Sequence, residues 1–425
     1  MRLIRQRITT FAIFAGKVAQ RVAAWFAASR YDARPLPWRD LFRLAIPLWL
    51  ITRLLALVVT YFSQTMLLAS VVQSPHGGSI TLDSLINSWG LWDGGFYGHI
   101  AHDGYTRPID AGFWPLYPLL SRSFDLLLGD GHVLVALLIV SNLATLAAFV
   151  LIGALALHED DSLDAASRAM KMLAAAPLAL FLVAAYSDSL FLALATATLL
   201  CARRGAWRAA TLWAFLAALS RPLGIILIVP LLWEYGRRID WQHLRKRFVW
   251  ERLPRAVPLA AAVPLGVGVF TLYCWQTFHD PLAWMHAEAL FSHVAMMPWD
   301  TIGYTWQQFW ALPPATFEQA RVLIDVAPLV FVGIVTVATI RRIPASYSLY
   351  LAGLLLVCLS SPVVGALFPE ALVSVGRYLL AAIPIYIVLA RWMHRYRWLD
   401  TLFIGGGFAL QSLLMAFVLT GGWLV

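Results

Sequence analysis

Ser88–Leu120 reads SWGLWDGGFYGHIAHDGYTRPIDAGFWPLYPLL. It is the longest break in the apolar pattern of the N-terminal half. Asp93, His99, His102, Asp103, Arg107 and Asp110 stand there among Trp92, Phe96, Tyr97, Tyr105, Phe113, Trp114 and Tyr117. Acids, imidazoles and aromatic rings at this density, between two hydrophobic segments, point to a site at a membrane surface. The competing reading is an interfacial Trp/Tyr belt with incidental charges.

The rest of the chain supplies the membrane. Of its 425 residues, 60% are hydrophobic and 13% charged, whereas about a quarter of a soluble domain is charged. The expected fold class is an all-α integral-membrane bundle. Its length suits about ten or eleven spans of roughly 20 residues. The net charge of +9 does not indicate nucleic acid, because the basic residues sit beside apolar runs and not on a soluble face. Cys201, Cys274 and Cys358 lie far apart, in or beside apolar segments. They form neither a metal spacing nor a disulfide framework.

Residues 1–40 read as a basic cytoplasmic segment. Phe11, Phe14, Val18, Val22 and Trp25 recur at helical spacing beside Arg5, Lys17 and Arg21, which fits an amphipathic helix on an anionic leaflet. A solvated tail is the alternative. The apolar run Phe11–Gly16 is too short, and too soon interrupted, for a signal peptide. Residues 41–425 read as one transmembrane domain, with outer loops at about 63–132 and 276–322.

The first span is Leu41 to about Phe62. Arg53 inside it must snorkel or find a partner in the bundle. The next is about Val133–Leu157, and Phe113–Leu128 reads as a surface or re-entrant helix. Four short apolar pieces follow, at about Met172–Ala185, Leu190–Cys201, Ala209–Leu219 and Leu223–Trp233. Pieces of 12–15 residues barely cross a bilayer, so they are expected to pack as a tilted set around a cavity. Later spans are about Val257–Trp275, Leu323–Ile340, Ser346–Leu367, Tyr378–Leu389 and Thr401–Leu419. About 26 of the 32 Lys and Arg fall in alternate loops, including the Arg245-Lys246-Arg247 cluster. The positive-inside rule therefore puts the N-terminus in the cytoplasm. The loops around Asp93, Asp188, Arg221, Asp280 and Arg377 are expected outside.

A sugar transfer on that side would draw on a donor already activated as a polyprenyl phosphate. It needs one carboxylate to take the acceptor proton and cations to hold the departing phosphate. Phosphate leaves readily, so the paired carboxylates of a glycosidase are not required. Asp93, between Trp92 and Gly94-Gly95, is the candidate base. The ring withdraws it from water, and the glycines admit a substrate. A helix N-cap is the alternative role. Arg221 and Arg377 are lone cations at span ends, suited to a lipid-linked phosphate or to snorkelling. Asp188, in Tyr186-Ser187-Asp188-Ser189, ends a short span and is a functional candidate or a cap. His99 and His102 share a helix face, but no further ligands complete a metal site. Hydrogen bonding to substrate or interfacial packing suits them better.

At these positions the chain resembles the PIG-V type mannosyltransferases, the GPI mannosyltransferase II enzymes and their bacterial relatives. The resemblance rests on Trp92-Asp93, Tyr97, Ile100-Ala101, Gly104-Tyr105 and Phe113-Trp114-Pro115-Leu116-Tyr117-Pro118. It continues in Ala185-Tyr186-Ser187-Asp188-Ser189-Leu190-Phe191, in Leu216–Gly224 around Ser220-Arg221-Pro222, and in Gly376-Arg377-Tyr378-Leu379. Leu91, Trp114 and Asp188 depart from the family's usual Arg, Phe and Glu. The resemblance implies a GT-C fold, with short helices around an outward cavity. It also implies a polyprenyl-phosphate-mannose donor, metal-independent inverting transfer without a cofactor, and Asp93 as the catalytic carboxylate. The enzyme would sit, multi-pass, in a bacterial cell membrane and glycosylate a glycolipid or glycan. Arg377 with Arg221 would hold the donor phosphate. Trp92, Tyr97, His99, His102, Tyr117, Tyr186, Asp188 and Tyr378 would line the substrate. Competing readings are a lipid or solute transporter, suggested by Arg53 and Glu234, and a GT-C enzyme for another sugar.

Overall fold

The computed structural model describes residues 35–68, 81–238, 249–365 and 371–422. The expected N-terminal amphipathic helix and the Arg245-Lys246-Arg247 cluster lie outside the described residues. Within them the regular elements are helices, joined by one isolated antiparallel bridge between His293 and Val363.

In chain order these are α1 (Trp38–Phe62), α2 (Leu82–Asn87), α3 (Asp93–Asp103), α4 (Leu116–Leu128), α5 (Val133–Asp160) and α6 (Leu163–Ala174). Then come α7 (Asp188–Arg204), α8 (Trp207–Ser220), α9 (Ile228–Gly236), α10 (Val249–Phe278), α11 (Ala283–Leu290) and α12 (Pro298–Ala311). The last are α13 (Phe317–Thr339), α14 (Ala345–Ser360), α15 (Val375–Tyr378), α16 (Ile383–Arg395) and α17 (Arg397–Leu419).

Five helices are long and apolar enough to cross a membrane: Trp38–Leu67, Val133–Asp160, Ala256–Phe278, Phe317–Thr339 and Trp398–Leu419. A sixth forms if Val375–Ala381 and Ile383–Arg395, bent by 73°, count as one span. About eleven were expected from apolar runs. The difference lies in short helices such as α7 and α8, of 17 and 14 residues. α7 is buried on all sides along almost its whole length, as is α16 from Ile383 to Ala390. Protein surrounds them, so their apolar composition serves a core and their length need not match a bilayer. α1 shows the opposite pattern. Leu50, Ile51, Leu54, Leu57 and Val58 stand exposed along it, a face suited to lipid.

Local chemistry sets the breaks. Gly205, with φ of +76°, caps α7 in the left-handed conformation that glycine adopts freely. Pro222 excludes Arg221 from the helical region. Arg221 is accordingly extended, at φ −159° and ψ 151°, and α8 stops there. The buried Arg53 of α1 donates to Asn142 Oδ1 at 2.6 Å and to the Leu182 carbonyl at 3.1 Å. It is thus satisfied inside the bundle, as a polar group in an apolar interior requires.

Charges segregate to two ends. Asp188 opens α7 and Arg203 lies near its other terminus, about 22 Å away at 1.5 Å per residue. Around Arg203, Glu159 accepts two bonds at 2.8 and 3.0 Å, and Glu234 accepts one at 3.0 Å. Ser346 adds a 2.6 Å bond to Glu234 and Tyr347 a 2.8 Å bond to Glu159, while Arg391 pairs with Asp160 at 2.7 Å. This latch ties α5, α7, α9, α14 and α16 at the end where sequence charge bias puts the cytoplasm. The other end holds Asp93, Asp188, Arg221 and Arg377.

Candidate active site

Asp93 is the first residue of α3, and Trp92 before it has φ of 59° and ψ of −117°. A bulky residue there is strained by about 1–3 kcal/mol. The turn it makes releases the Asp93 side chain from capping its own helix. Its carboxylate instead accepts from Arg377 Nη1, with Oδ2 at 2.7 Å. The segment before α7 is sewn to the same region. The Ala185 amide donates to the Trp89 carbonyl at 3.0 Å, and Tyr186 Oη to the Leu91 carbonyl at 3.1 Å. Gly94 lies against Ala185 at van der Waals distance.

Arg377 comes from the bend between α15 and α16. Ser374 enters α15 in the left-handed region, and the Gly376 amide donates to Asp325 Oδ1 of α13 at 2.9 Å. That anchor fixes the height of Arg377. Its guanidinium lies over the rings of Tyr186, Tyr378 and Phe181, at 5.2, 5.5 and 5.7 Å. Arg221 lies over Tyr378 at 4.9 Å and pairs with Asp188 Oδ1. The same oxygen is 3.7 Å from Arg377 Nε. Aromatic faces stabilise both cations where water is scarce.

Two buried atoms here lack a hydrogen-bond partner, Asp188 Oδ2 and Arg377 Nε. Orphans of this kind are rare in a settled core and call for an explanation. They border a narrow cleft lined by Asp188, Arg221, Arg377, Tyr378, Phe191 and Leu380 among others. Two guanidiniums beside it, one with an unused donor, match the demands of a phosphate group.

The other expected site residues divide. Tyr97 Oη is bonded to Ser187 Oγ at 2.7 Å, which locks α3 to the entrance of α7. Tyr117 is fully buried and bonded to Ser141 and the Leu137 carbonyl, so it belongs to the core and lines no open space. Trp92 is half-exposed. His99 and His102 do not reach Asp93. His99 lies six residues along α3, roughly 9 Å down the axis. It pairs with Asp103 at 3.0 Å and Thr106 at 2.8 Å. His102 pairs with Asp103 at 2.6 Å, which raises its pKa above the usual imidazole value. Among the described residues no three His, Cys, Asp or Glu side chains are grouped to hold a metal.

Glu288 was missed as a site residue. It belongs to α11, in the outer loop without Lys or Arg, and lies within electrostatic reach of Asp93, Arg221 and Arg377. Loss of hydration pushes its carboxyl upward, while His293 and Arg221 pull it back. Nothing in the run of polar loop residues distinguished it. Asp325, a lone acid inside the apolar Phe317–Thr339 span, carried the charge-in-a-span signal and was passed over.

No family model matches the chain, and no curated protein is similar to it. Among solved structures it is similar to the Archaeoglobus fulgidus oligosaccharyltransferase in its apo form, with a TM-score of 0.40 and 12% identity. The match covers 88% of this chain and 55% of that one, so the chain spans about half the length of its neighbour.

Proposed function

We propose that this chain is a membrane glycosyltransferase. It moves a sugar, mannose in line with the motif resemblance, from a polyprenyl phosphate to a hydroxyl of a glycolipid or glycan. The observation that carries the reading is the pairing of Asp93 with Arg377, beside Arg221 and a narrow cleft. The candidate base and the phosphate clamp lie side by side in the unliganded fold, and they must part to admit an anomeric carbon between them.

In this reaction the acceptor oxygen attacks the anomeric carbon from the face opposite the phosphate. Asp93 takes the acceptor proton. The carbon–oxygen bond to phosphate breaks, and the phosphate leaves with the electron pair into the two guanidiniums. The stereocentre inverts, and the protein forms no covalent link. Arg377 Nε supplies a donor the resting fold leaves unused. Arg53 and Glu234, the residues that suggested a transport path, are both held in hydrogen-bonded contacts away from this site.

The test uses the purified full chain in lipid nanodiscs with polyprenyl-phosphate-[³H]mannose and a membrane glycolipid extract. Label should pass to the glycolipid fraction, and Asp93→Asn should reduce the rate by about 10²–10⁴-fold, the usual worth of a general base. Full activity in the variant removes Asp93 from this role. Label that instead crosses sealed vesicles unaltered favours a transporter, and transfer only from another polyprenyl sugar replaces mannose.

A further inference from the structure

α11 lies across α3 and the turn before α4. A Cβ on Gly112 would sit 3.5 Å from Ala287 and 3.6 Å from Phe291. The Phe291 ring meets Phe96 of α3 at 5.9 Å and Phe113 at 6.0 Å, and Trp284 meets Trp114 at 5.8 Å. Trp284 lies four residues before Glu288, on the same side of the helix, and Phe291 is the residue that ends the helix three positions after it. The aromatic anchors thereby hold Glu288 toward the helix that begins with Asp93.

The Glu288 side chain keeps 37% exposure, while the Phe291 ring that follows it in sequence packs on α3, the helix that Asp93 opens. A carboxylate reached by water on a segment packed against that helix can line the way in to Asp93. Its ion pair among the described residues is with His293 Nε2, at 3.7 Å, too long for a hydrogen bond. His293 is itself held, with Nδ1 3.0 Å from the Ser361 carbonyl. Both carboxylate oxygens of Glu288 are therefore uncommitted. The buried arginines take up the phosphate side of the site, and α11 brings a carboxylate and an imidazole to Asp93 from a loop. A carboxylate with two free oxygens suits two neighbouring hydroxyls.

We propose that Glu288, with His293 behind it, is an acceptor subsite that binds a vicinal diol of a sugar or polyol. It holds the neighbouring hydroxyl against Asp93. This rests on the glycosyl-transfer reading.

The experiment measures KM for each substrate in nanodiscs, with polyprenyl-phosphate-[³H]mannose and a graded glycolipid extract of the native membrane. Glu288→Ala should raise the acceptor KM by about ten- to a hundred-fold, as expected for a lost hydrogen bond to a charged group. The donor KM should stay within about twofold. Glu288→Gln, which keeps shape and one acceptor oxygen, should restore part of the loss. A merely structural residue would not split the two constants in this way. If the alanine variant does not fold, the glutamine variant decides, with about a threefold rise in acceptor KM expected. An unchanged acceptor KM, or a rise confined to the donor, overturns the subsite. A wild-type chain that transfers no polyprenyl-linked sugar overturns the reading beneath it.

Discussion

If, as proposed, the donor phosphate takes Arg377, it competes with Asp93 for that guanidinium, so removing the carboxylate charge should tighten phosphate binding while it slows transfer. In the unliganded fold Arg377 Nη1 donates to Asp93 Oδ2 at 2.7 Å. A phosphate that claims this nitrogen must first break that bond. A charge-assisted hydrogen bond is worth about 1.5–3 kcal/mol net. The Asp93 side chain is 26% exposed, so on release it regains water and the lower figure applies. Asparagine keeps an acceptor oxygen but loses the charge and its repulsion of the incoming phosphate. About 1.4 kcal/mol is a factor of ten in affinity. Asp93→Asn should therefore bind farnesyl phosphate roughly tenfold more tightly than wild type, by isothermal titration of purified protein. Arg377→Ala should lose most of the affinity. Equal or weaker binding by the asparagine variant would mean that Asp93 does not stand in the way of the phosphate, and the competition argument would fail.

Gly376→Ala should lower farnesyl phosphate affinity and cost about 1–3 kcal/mol of stability by overpacking. Its new Cβ would sit 2.6 Å from Leu178 Cδ1 and 3.2 Å from both Asp325 Oδ1 and the Ile324 carbonyl oxygen, and calorimetry with ligand titration checks both effects. Glu234→Ala, at the opposite end, should cost about 1.5–3 kcal/mol, because Arg203 loses one charge-assisted bond but keeps Glu159. The folded fraction should bind farnesyl phosphate as wild type does, read by thermal unfolding and titration. His102 should titrate lower in Asp103→Asn, followed by imidazole NMR, because the bond that raises it is removed. Since the folded value lies above the unfolded one, this pairing supports the fold fully below the unfolded pKa. The support fades as pH rises through the raised value.

Much of the site was legible because chemistry left marks on sequence. Asp93, Asp188, Arg221 and Arg377 each interrupt an apolar run, where a charge is expensive without purpose. Pro222 announced one break by its backbone limits, while Gly205, which caps α7, went unread. The span count was not legible, since composition alone cannot separate an apolar helix wrapped by protein from one wrapped by lipid. α7 and α16 are wrapped by protein. Tyr117 reads as a site residue by its neighbours, yet its hydroxyl is bonded to Ser141 in the core. Glu288 carries no local signal among the polar residues of its loop, while Asp325 does stand as a lone acid in an apolar span, a signal the sequence reading passed over. Their importance comes from α11 folding over α3 and α13 touching Gly376, contacts between segments far apart in sequence.

Charge balance explains why Asp93 is the group that yields. Asp93, Asp188 and Glu288, when ionised, carry one more charge than Arg221 and Arg377 together. An entering phosphate adds another negative charge, so one carboxylate has to give up its cation. Asp188 is poorly placed to do so. It is buried, it pairs with Arg221, and moving it would strand the Arg221 guanidinium against the Tyr378 ring. Glu288 holds no arginine in a direct pair. Asp93 opens a helix behind the strained Trp92 and keeps a path to water, so its release is the cheapest. On the proposed reading, phosphate binding and the release of Asp93 from Arg377 are then the same event, and a site without donor keeps the carboxylate tied to the guanidinium.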